Sequence, residues 1–302
     1  MNTFLKKVLL LSALLFITAL FCEFLTRRVP NPYKWKETWM EKNASKLEVM
    51  ILGSSHAFYG VNPAFLKRPS FNLAYVSQGL EYDDYLLNRY LPKTTNLRFV
   101  FLSISSFSLF ENLEEHPEWF RIINYQLYMG ARKYGHFSKY NYEMSHFWGA
   151  TEKIKTYYLK RENTVICSDL GYGTDYTLKN KNKRNWDNGE ERVKECNYTD
   201  WKNLSKNTRY LEHMAEVCEQ QDVQLVLFTA PARPSYYNSL YKKQMDRSYQ
   251  VIHSIMSEHK NVMYQNYLKD SLFVADDFYD QDHLSDVGAE KLTRMLNERF
   301  IE

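Results

Sequence analysis

The stretch Leu47-Glu48-Val49-Met50-Ile51-Leu52-Gly53-Ser54-Ser55-His56 joins an apolar run to a glycine and two serines. A short apolar run that ends at a turn residue is typical of a buried strand, so we predict a strand over Leu47–Leu52. Gly53 allows the chain to turn sharply out of that strand. The turn would present Ser55 near the amino end of the following helix, where backbone N–H groups favour negative charge.

Similar apolar segments alternate with amphipathic segments along the rest of the chain. The composition predicts further strands over Phe71–Val76, Leu97–Ile104, Val223–Thr229 and a short Val262–Tyr267. The spacing of apolar residues predicts helices over Tyr82–Tyr90, Tyr210–Cys218, Tyr241–His259 and Val287–Phe300. Strands that alternate with helices indicate an α/β fold with a parallel sheet. Ser285 or Asp286 can cap the last helix.

A second motif, Asp280-Gln281-Asp282-His283, precedes the last predicted helix. Ligands of open α/β sheets bind at the carboxyl ends of the strands, so this motif and Ser55 are expected at one rim. A hydroxyl becomes a good nucleophile when an imidazole takes its proton and a carboxylate orients the imidazole. Ser55, His283 and Asp280 supply these groups. Asp282 is expected to point away and to serve as a surface or capping residue.

Composition narrows the class of protein. The 302 residues are 44% hydrophobic and 25% charged, which is typical of a globular chain. Lysine and arginine number 39 against 36 acidic residues, and a net charge of +3 is too small to indicate nucleic-acid binding. The cysteine and histidine spacing matches no zinc motif, and we predict no cofactor.

The amino terminus is typical of a membrane-targeting segment. Lys6 and Lys7 precede an apolar run over Val8–Cys22, and Arg27 and Arg28 follow it. A small-residue cleavage site does not follow the run, which favours an uncleaved, single-pass signal anchor over residues 1–28. The two lysines place the amino terminus inside, so residues 29–302 are expected in the periplasm or outside the cell.

The cysteines agree with an oxidising compartment. Cys167 and Cys196 bracket a polar stretch, and a disulfide between them would stabilise the loop by roughly 3 kcal/mol. The alternative is that the thiols are independent and buried. Cys218 follows the apolar pattern of a helix and is expected in the core.

Residues 111–201 interrupt the alternation of strands and helices. The segment is rich in aromatic residues at first and in charged and amide residues later. We interpret it as an insertion that forms either an acceptor-binding wall, a docking surface for a membrane partner, or a small core of its own. The basic run Lys179–Arg184 is expected to be solvated, or less often to contact an acidic polymer.

The two motifs resemble those of the SGNH (GDSL-like) hydrolase superfamily, over Val49 to the end of the chain. The resemblance implies a flavodoxin-like three-layer α/β/α sandwich, with Ser55 as nucleophile, Asp280 as the acid of the triad and His283 as base. Gly53–His56 followed by Gly60-Val61-Asn62-Pro63, behind an anchor, is more similar to the DltD and alginate O-acetylation branch. Members of that branch act on cell-envelope polymers, often beside a membrane-bound O-acyltransferase.

The chain departs from the superfamily at one block. The Gly-x-Asn-Asp sequence, whose asparagine helps to form the oxyanion hole, is replaced by Ser103-Ile104-Ser105-Ser106-Phe107. The remaining candidate oxyanion donors are the backbone N–H groups of Ser55 and Gly79 and the hydroxyl of Ser105. Losing one donor typically costs about 10²–10³ in rate.

Two further residues are candidates for substrate binding. His56 either contacts substrate or bonds a backbone carbonyl as a turn histidine. Arg233, at the end of the fourth strand, either binds an anionic group of the substrate or forms a surface salt bridge.

The sequence therefore leaves three alternative functions, of which the first is favoured. The first is a serine esterase or O-acyltransferase, such as an O-acetyltransferase, that acts on an envelope or exported polysaccharide. The second is an accessory protein that docks on a membrane-bound O-acyltransferase. The third is a lipase or thioesterase of small esters, against which the uncleaved anchor counts.

Overall fold

The computed structural model describes residues 3–180, 186–196 and 200–302, apart from the side chain of Cys196. These residues form two compact units. The helical unit comprises Met1–Glu37 and Trp119–Ile166, and the sheet unit comprises Thr38–Glu118 and Cys167–Glu302.

The sheet unit is built on five parallel strands. They are β1 (Val49–Leu52), β2 (Ser70–Asn72), β3 (Phe99–Ser103), β4 (Gln224–Thr229) and β5 (Val262–Asn266), in the order β2-β1-β3-β4-β5. The side chains of β1 are fully buried because the strand lies inside the sheet, with Ile51 beside Asn72 on one edge and Phe101 on the other. Strand β2 is shorter than predicted, because the Asn72 side chain accepts the Ala74 N–H and ends the extended conformation.

The helices, in chain order, are α1 (Thr3–Arg28), α2 (Pro32–Asn43), α3 (Ser55–Phe58), α4 (Leu80–Tyr90), α5 (Arg121–Tyr128), α6 (Phe147–Ile154), α7 (Gly189–Cys196), α8 (Leu204–Gln220), α9 (Pro234–Tyr237), α10 (Lys242–Glu258) and α11 (Asp286–Phe300). The four helices predicted from periodicity correspond to α4, α8, α10 and α11. The Ser285 hydroxyl caps α11 by accepting the Gly288 N–H, as predicted. Cys218 is buried on α8, also as predicted.

The helices of the sheet unit cover both faces of the sheet. Helix α8 packs between α4 and α10, whereas α11 packs on the segment that joins β1 to β2. Right-handed crossovers place the β1–β2 connection and the later connections on opposite faces, because the chain passes from β1 to the edge strand β2 and then returns past β1 to β3. The predicted flavodoxin-like three-layer α/β/α sandwich is thereby confirmed. The reversal also places the end of β1 where ligands bind in such folds.

Gly53 ends β1 in a conformation that favours glycine. Its φ is +119°, and a Cβ atom there would lie 2.1 Å from the Ser103 Oγ on the neighbouring strand. The Gly53 N–H donates to the buried carboxyl of Asp83 at 2.8 Å. This position therefore fixes the direction in which the chain leaves the sheet towards Ser55.

We expect Gly53→Ala to lower the free energy of unfolding by about 3 kcal/mol, because it adds backbone strain and a steric clash in the same place. Urea denaturation measures the loss. The matched control is Gly135→Ala, where an added Cβ meets no atom within 4 Å. Equal midpoints for the two variants would contradict the role assigned to Gly53.

The helical unit contains α1, which has 26 residues. Among the described residues, α1 is the one helix long and apolar enough to cross a membrane, as either an anchor or a signal sequence. Its last turns are joined to the rest of the unit through Glu23. That carboxylate pairs with Arg27 at 2.6 Å and accepts the N–H groups of Glu143 and Met144 at 3.1 and 2.9 Å.

Two predictions fall on parts of the chain that the structure leaves undescribed. The Cys167–Cys196 disulfide involves a side chain outside the described atoms. The basic run Lys179–Arg184 lies outside the described residues from position 181 onwards.

Candidate active site

Ser55 is the first residue of α3, directly after the turn at Gly53 and Ser54. Its Oγ lies 2.8 Å from the Nε2 of His283. Because α3 begins at Ser55, the first N–H groups of this helix have no acceptor within the helix. The Ser55 hydroxyl thus has the His283 imidazole as a proton acceptor, and the backbone N–H groups at the start of α3 lie beside it.

His283 is held by Asp280. The Nδ1 of the ring lies 3.0 Å from both carboxylate oxygens, and the backbone N–H of His283 donates to Oδ1 at 2.8 Å. The Tyr279 N–H donates to the His283 carbonyl at 2.9 Å, which closes the loop on itself. Burial lowers the pKa of His283, but the carboxylates of Asp280 and Asp282 outweigh it and leave that pKa raised. The structure therefore brings Ser55, His283 and Asp280 together.

The expectation that Asp282 points to the surface is wrong. Asp282 is 2% exposed, and its carboxylate receives two hydrogen bonds from Arg192, from Nε at 2.8 Å and from Nη2 at 3.1 Å. The same carboxylate lies 3.3 Å from the Nε2 of His56 and 3.5 Å from the Nδ1 of His283. Burial raises the pKa of Asp282, but the neighbouring histidines and the Arg192 guanidinium hold it well below its usual value.

Among the described residues, His56 contacts the side chains of Ser105 and Asp282, not the backbone carbonyl expected of a turn histidine. Its Nδ1 lies 2.6 Å from the Ser105 hydroxyl, and its ring centroid lies 5.2 Å from that of His283. Burial lowers the pKa of His56 despite the nearby Asp282. His56 therefore connects the segment that follows β3 to the Asp282 carboxylate, and the Ser105 hydroxyl that we considered as an oxyanion donor is bonded to His56.

A cavity of about 270 Å³ within the sheet unit opens onto Ser55 and His283. Most of the residue types in its lining are polar or charged; the lining consists of Ser54, Ser55, Val76, Ser77, Phe107, Glu111, His116, Glu118, Tyr176, Arg192, Glu195, Asp282 and His283. Gly79 lies outside this lining and borders a separate small pocket at the start of α4. Arg233 also lies outside it, and its guanidinium stacks on the Trp186 ring at 4.0 Å.

One side of the site is formed by stacked tyrosines. Tyr176 lies between Tyr59 and Tyr279, with ring centroids 3.7 and 3.8 Å apart. The His283 ring meets the Tyr176 ring edge-on at 5.3 Å. A rigid aromatic wall limits rotation of the imidazole, and its members were not singled out by the sequence motifs.

The donor set of the site fits hydrogen bonding better than metal binding. Ligand atoms of His56, Asp282 and His283 lie within 4.8 Å of one another. However, both Asp282 oxygens already accept hydrogen bonds from Arg192, so a cation there would face a guanidinium at close range. The two imidazoles are likewise engaged by Ser105 and Ser55.

Glu111 places a buried carboxyl in the wall of the cavity. The residue is 6% exposed, and its Oε1 has no hydrogen-bond partner among the described residues. Burial and the nearby Asp83 raise the pKa of Glu111 well above its usual value. Burial also raises the pKa of Asp83 to about 7, although Gln78 and the Gly53 N–H oppose the shift.

We expect the protein to lose stability as the pH rises from about 5 to 8. The unfolded chain releases the protons of these carboxyls near their ordinary pKa values, whereas the folded chain retains them, so the folded state is favoured at low pH. Glu111→Gln should reduce this slope, by at most about 1.4 kcal/mol per pH unit. Urea unfolding at several pH values measures it, with the exposed Glu216→Gln as control. A slope unchanged by Glu111→Gln would show that Glu111 is ionised in the folded protein.

Comparisons with known proteins give structural neighbours at low identity. A protein-family model that carries no description matches residues 136–302. A search of curated proteins finds no match. Among solved structures, the chain is similar to a protein from Streptococcus pneumoniae described as a candidate platelet activating factor (TM-score 0.44, 11% identity, covering 96% of this chain and 97% of that chain).

Two other solved structures are similar over most of the chain. One is a candidate acylhydrolase from Bacteroides fragilis (TM-score 0.40, 9% identity, covering 87% of this chain and 96% of that chain). The other is a catalytic mutant of an acetylxylan esterase from Geobacillus stearothermophilus (TM-score 0.39, 10% identity, covering 83% of this chain and 92% of that chain).

Proposed function

We propose that the protein is an SGNH-type serine esterase or O-acyltransferase. The observation that carries this proposal is the continuous chain of hydrogen bonds from the Ser55 Oγ through the His283 imidazole to Asp280, with contacts of 2.8 and 3.0 Å. Nucleophile, base and orienting carboxylate at these distances are what acyl transfer through a serine requires.

In the proposed reaction, the Ser55 Oγ attacks the carbonyl carbon of an ester while its proton moves to the His283 Nε2. The tetrahedral intermediate then collapses, and the protonated imidazole gives that proton to the departing alcohol. Water or an acceptor hydroxyl next attacks the acyl-serine, with His283 again as base. Hydrolysis and transfer differ only in which of these two nucleophiles attacks.

For the oxyanion, the best-placed donor among our candidates is the backbone N–H of Ser55. It belongs to the residue that carries the nucleophile, at the start of α3. The Ser105 hydroxyl is bonded to His56, and Gly79 lies outside the lining of the cavity. We therefore retain Ser55 as the oxyanion donor in this proposal.

The substrate we propose is an O-acylated polysaccharide of the cell envelope or an exported polysaccharide. The cavity supports this choice because Glu111, Glu118 and Glu195 line it together with Ser55, and carboxyl groups accept hydrogen bonds from sugar hydroxyls. The helix α1 supports an anchor over residues 1–28, with residues 29–302 on the periplasmic or outer side. We propose a membrane-bound O-acyltransferase as the protein partner.

The first test is active-site labelling of the full chain in detergent. A fluorophosphonate probe should attach covalently to Ser55, as located by peptide mass spectrometry, and p-nitrophenyl acetate should release a burst of p-nitrophenol. Ser55→Ala should abolish both signals. Ser54→Ala is the neighbouring control, because the Ser54 Oγ has no partner among the described atoms. A folded wild-type protein that takes no label and shows no burst would favour the accessory, docking function instead.

A further inference from the structure

The helical unit exposes two large aromatic side chains next to each other. Phe147 and Trp148, at the start of α6, are 52% and 79% exposed. Two other large apolar side chains of the same unit are exposed as well, Phe137 at 98% and Leu159 at 76%. The Phe147 and Trp148 rings lie 5.4 Å apart, and exposed apolar side chains that adjoin one another often mark an interaction site.

The aromatic pair lies near the end of the apolar part of α1. Glu143 and Met144, just before α6, donate their N–H groups to Glu23, which is one residue beyond the apolar run. The guanidinium of Arg27 donates to the Asn141 carbonyl at 2.7 Å. Helices α1 and α6 also pack against each other. The start of α6 is therefore fixed beside the point where α1 would leave the hydrocarbon core of a bilayer.

The charge of this segment agrees with that position. Residues 131–161 carry seven lysine or arginine residues and two glutamates. Aromatic residues concentrate at the headgroup level of membranes, and basic residues beside them are attracted to anionic lipids. The same combination of exposed aromatic and basic residues is typical of helices that lie in the membrane interface.

We infer that Phe147 and Trp148 insert into the headgroup region of the bilayer that α1 spans. The partner of this surface is lipid, and the basic residues of 131–161 favour an anionic one. The inference rests on the membrane anchoring in our proposed function. Two points of attachment, the spanning helix and the aromatic pair, would hold the helical unit at a fixed tilt to the membrane.

The test is the quenching of tryptophan fluorescence in the full chain, reconstituted into vesicles of phosphatidylcholine and phosphatidylglycerol. Lipids brominated near the headgroup end of the acyl chain should quench part of the emission. Trp148→Phe should remove most of this quenching. The matched control is Trp201→Phe, which removes a different exposed tryptophan and should leave the quenching in place. Equal quenching in the two variants would overturn the inference.

Flotation of the same vesicles separates failure of the inference from failure of the anchor. Protein that floats but shows no quenching from Trp148 retains the anchor and contradicts the interfacial position. Protein that does not float contradicts both. Emission from Trp148 that resists brominated lipid and varies with the ratio of protein to lipid would identify a second copy as the partner, which also overturns the inference. Labelling of Ser55 tests the enzymatic proposal independently.

Discussion

Replacing Ser55 by alanine is expected to lower kcat for ester hydrolysis by about 10⁴- to 10⁶-fold, and His283→Ala should have a similar effect. The reason is that the 2.8 Å contact between these side chains makes them one unit. Without the imidazole the hydroxyl keeps its proton, and without the hydroxyl the imidazole has nothing to activate. Steady-state kinetics with p-nitrophenyl acetate measure both variants.

Two further variants provide the controls: one that combines both alanine substitutions, and one that changes the Asp280 carboxylate. Ser55→Ala combined with His283→Ala should be scarcely slower than either single variant, because residues that act as a unit are not additive. Asp280→Asn should cost about 10⁴-fold, since an amide favours the wrong tautomer of the imidazole. Additive losses in the double variant would show that Ser55 and His283 act separately.

Replacing Arg192 by glutamine is expected to destabilise the protein by about 3 kcal/mol and to change its pH dependence. The substitution leaves the carboxylate of Asp282 buried without the guanidinium that donates to both of its oxygens. The positive charge of Arg192 also lowers the pKa of His283 and of His56. Its removal raises these pKa values, so more His283 is protonated at a given pH and less can act as base.

The measurement is the pH profile of kcat/KM together with urea unfolding. The acid limb of the profile should move to higher pH in Arg192→Gln. Arg192→Lys keeps the charge but loses the paired donors, so its limb should lie close to that of the wild type while its stability falls. A limb that moves equally in both variants would mean that geometry, rather than charge, sets the protonation of His283.

The sheet was predictable because its strands are buried on both sides. Val49–Leu52 and Leu225–Phe228 are continuous apolar runs, and such runs are typical of buried parallel strands. The glycine after β1 and the Asp280-Gln281-Asp282-His283 motif then place their side chains at one rim, and the structure brings Ser55, His283 and Asp280 into contact. The predicted second strand was too long, because the turn formed by the Asn72 side chain and the Ala74 N–H has no signal in the hydropathy pattern.

The second carboxylate was not predictable in the same way. Spacing along the chain suggested that Asp282 points away from its neighbour His283, but its direction is set by Arg192, which is 90 residues distant. Arg192 itself lies in the polar part of the 111–201 segment, and the sequence does not distinguish it from the other basic residues there. Glu111 was missed for a related reason, because charged residues are seldom buried and the sequence carries no sign of its burial.

The separation of Ser55 and His283 by 228 positions has a consequence for biosynthesis. The nucleophile is among the first residues of the sheet unit to be synthesised, and its base is among the last. A nascent chain therefore has no activated serine until His283 and the following α11 have been synthesised. Newly made protein would be inert towards esters during translation, and it would become reactive only once the complete sheet unit had folded.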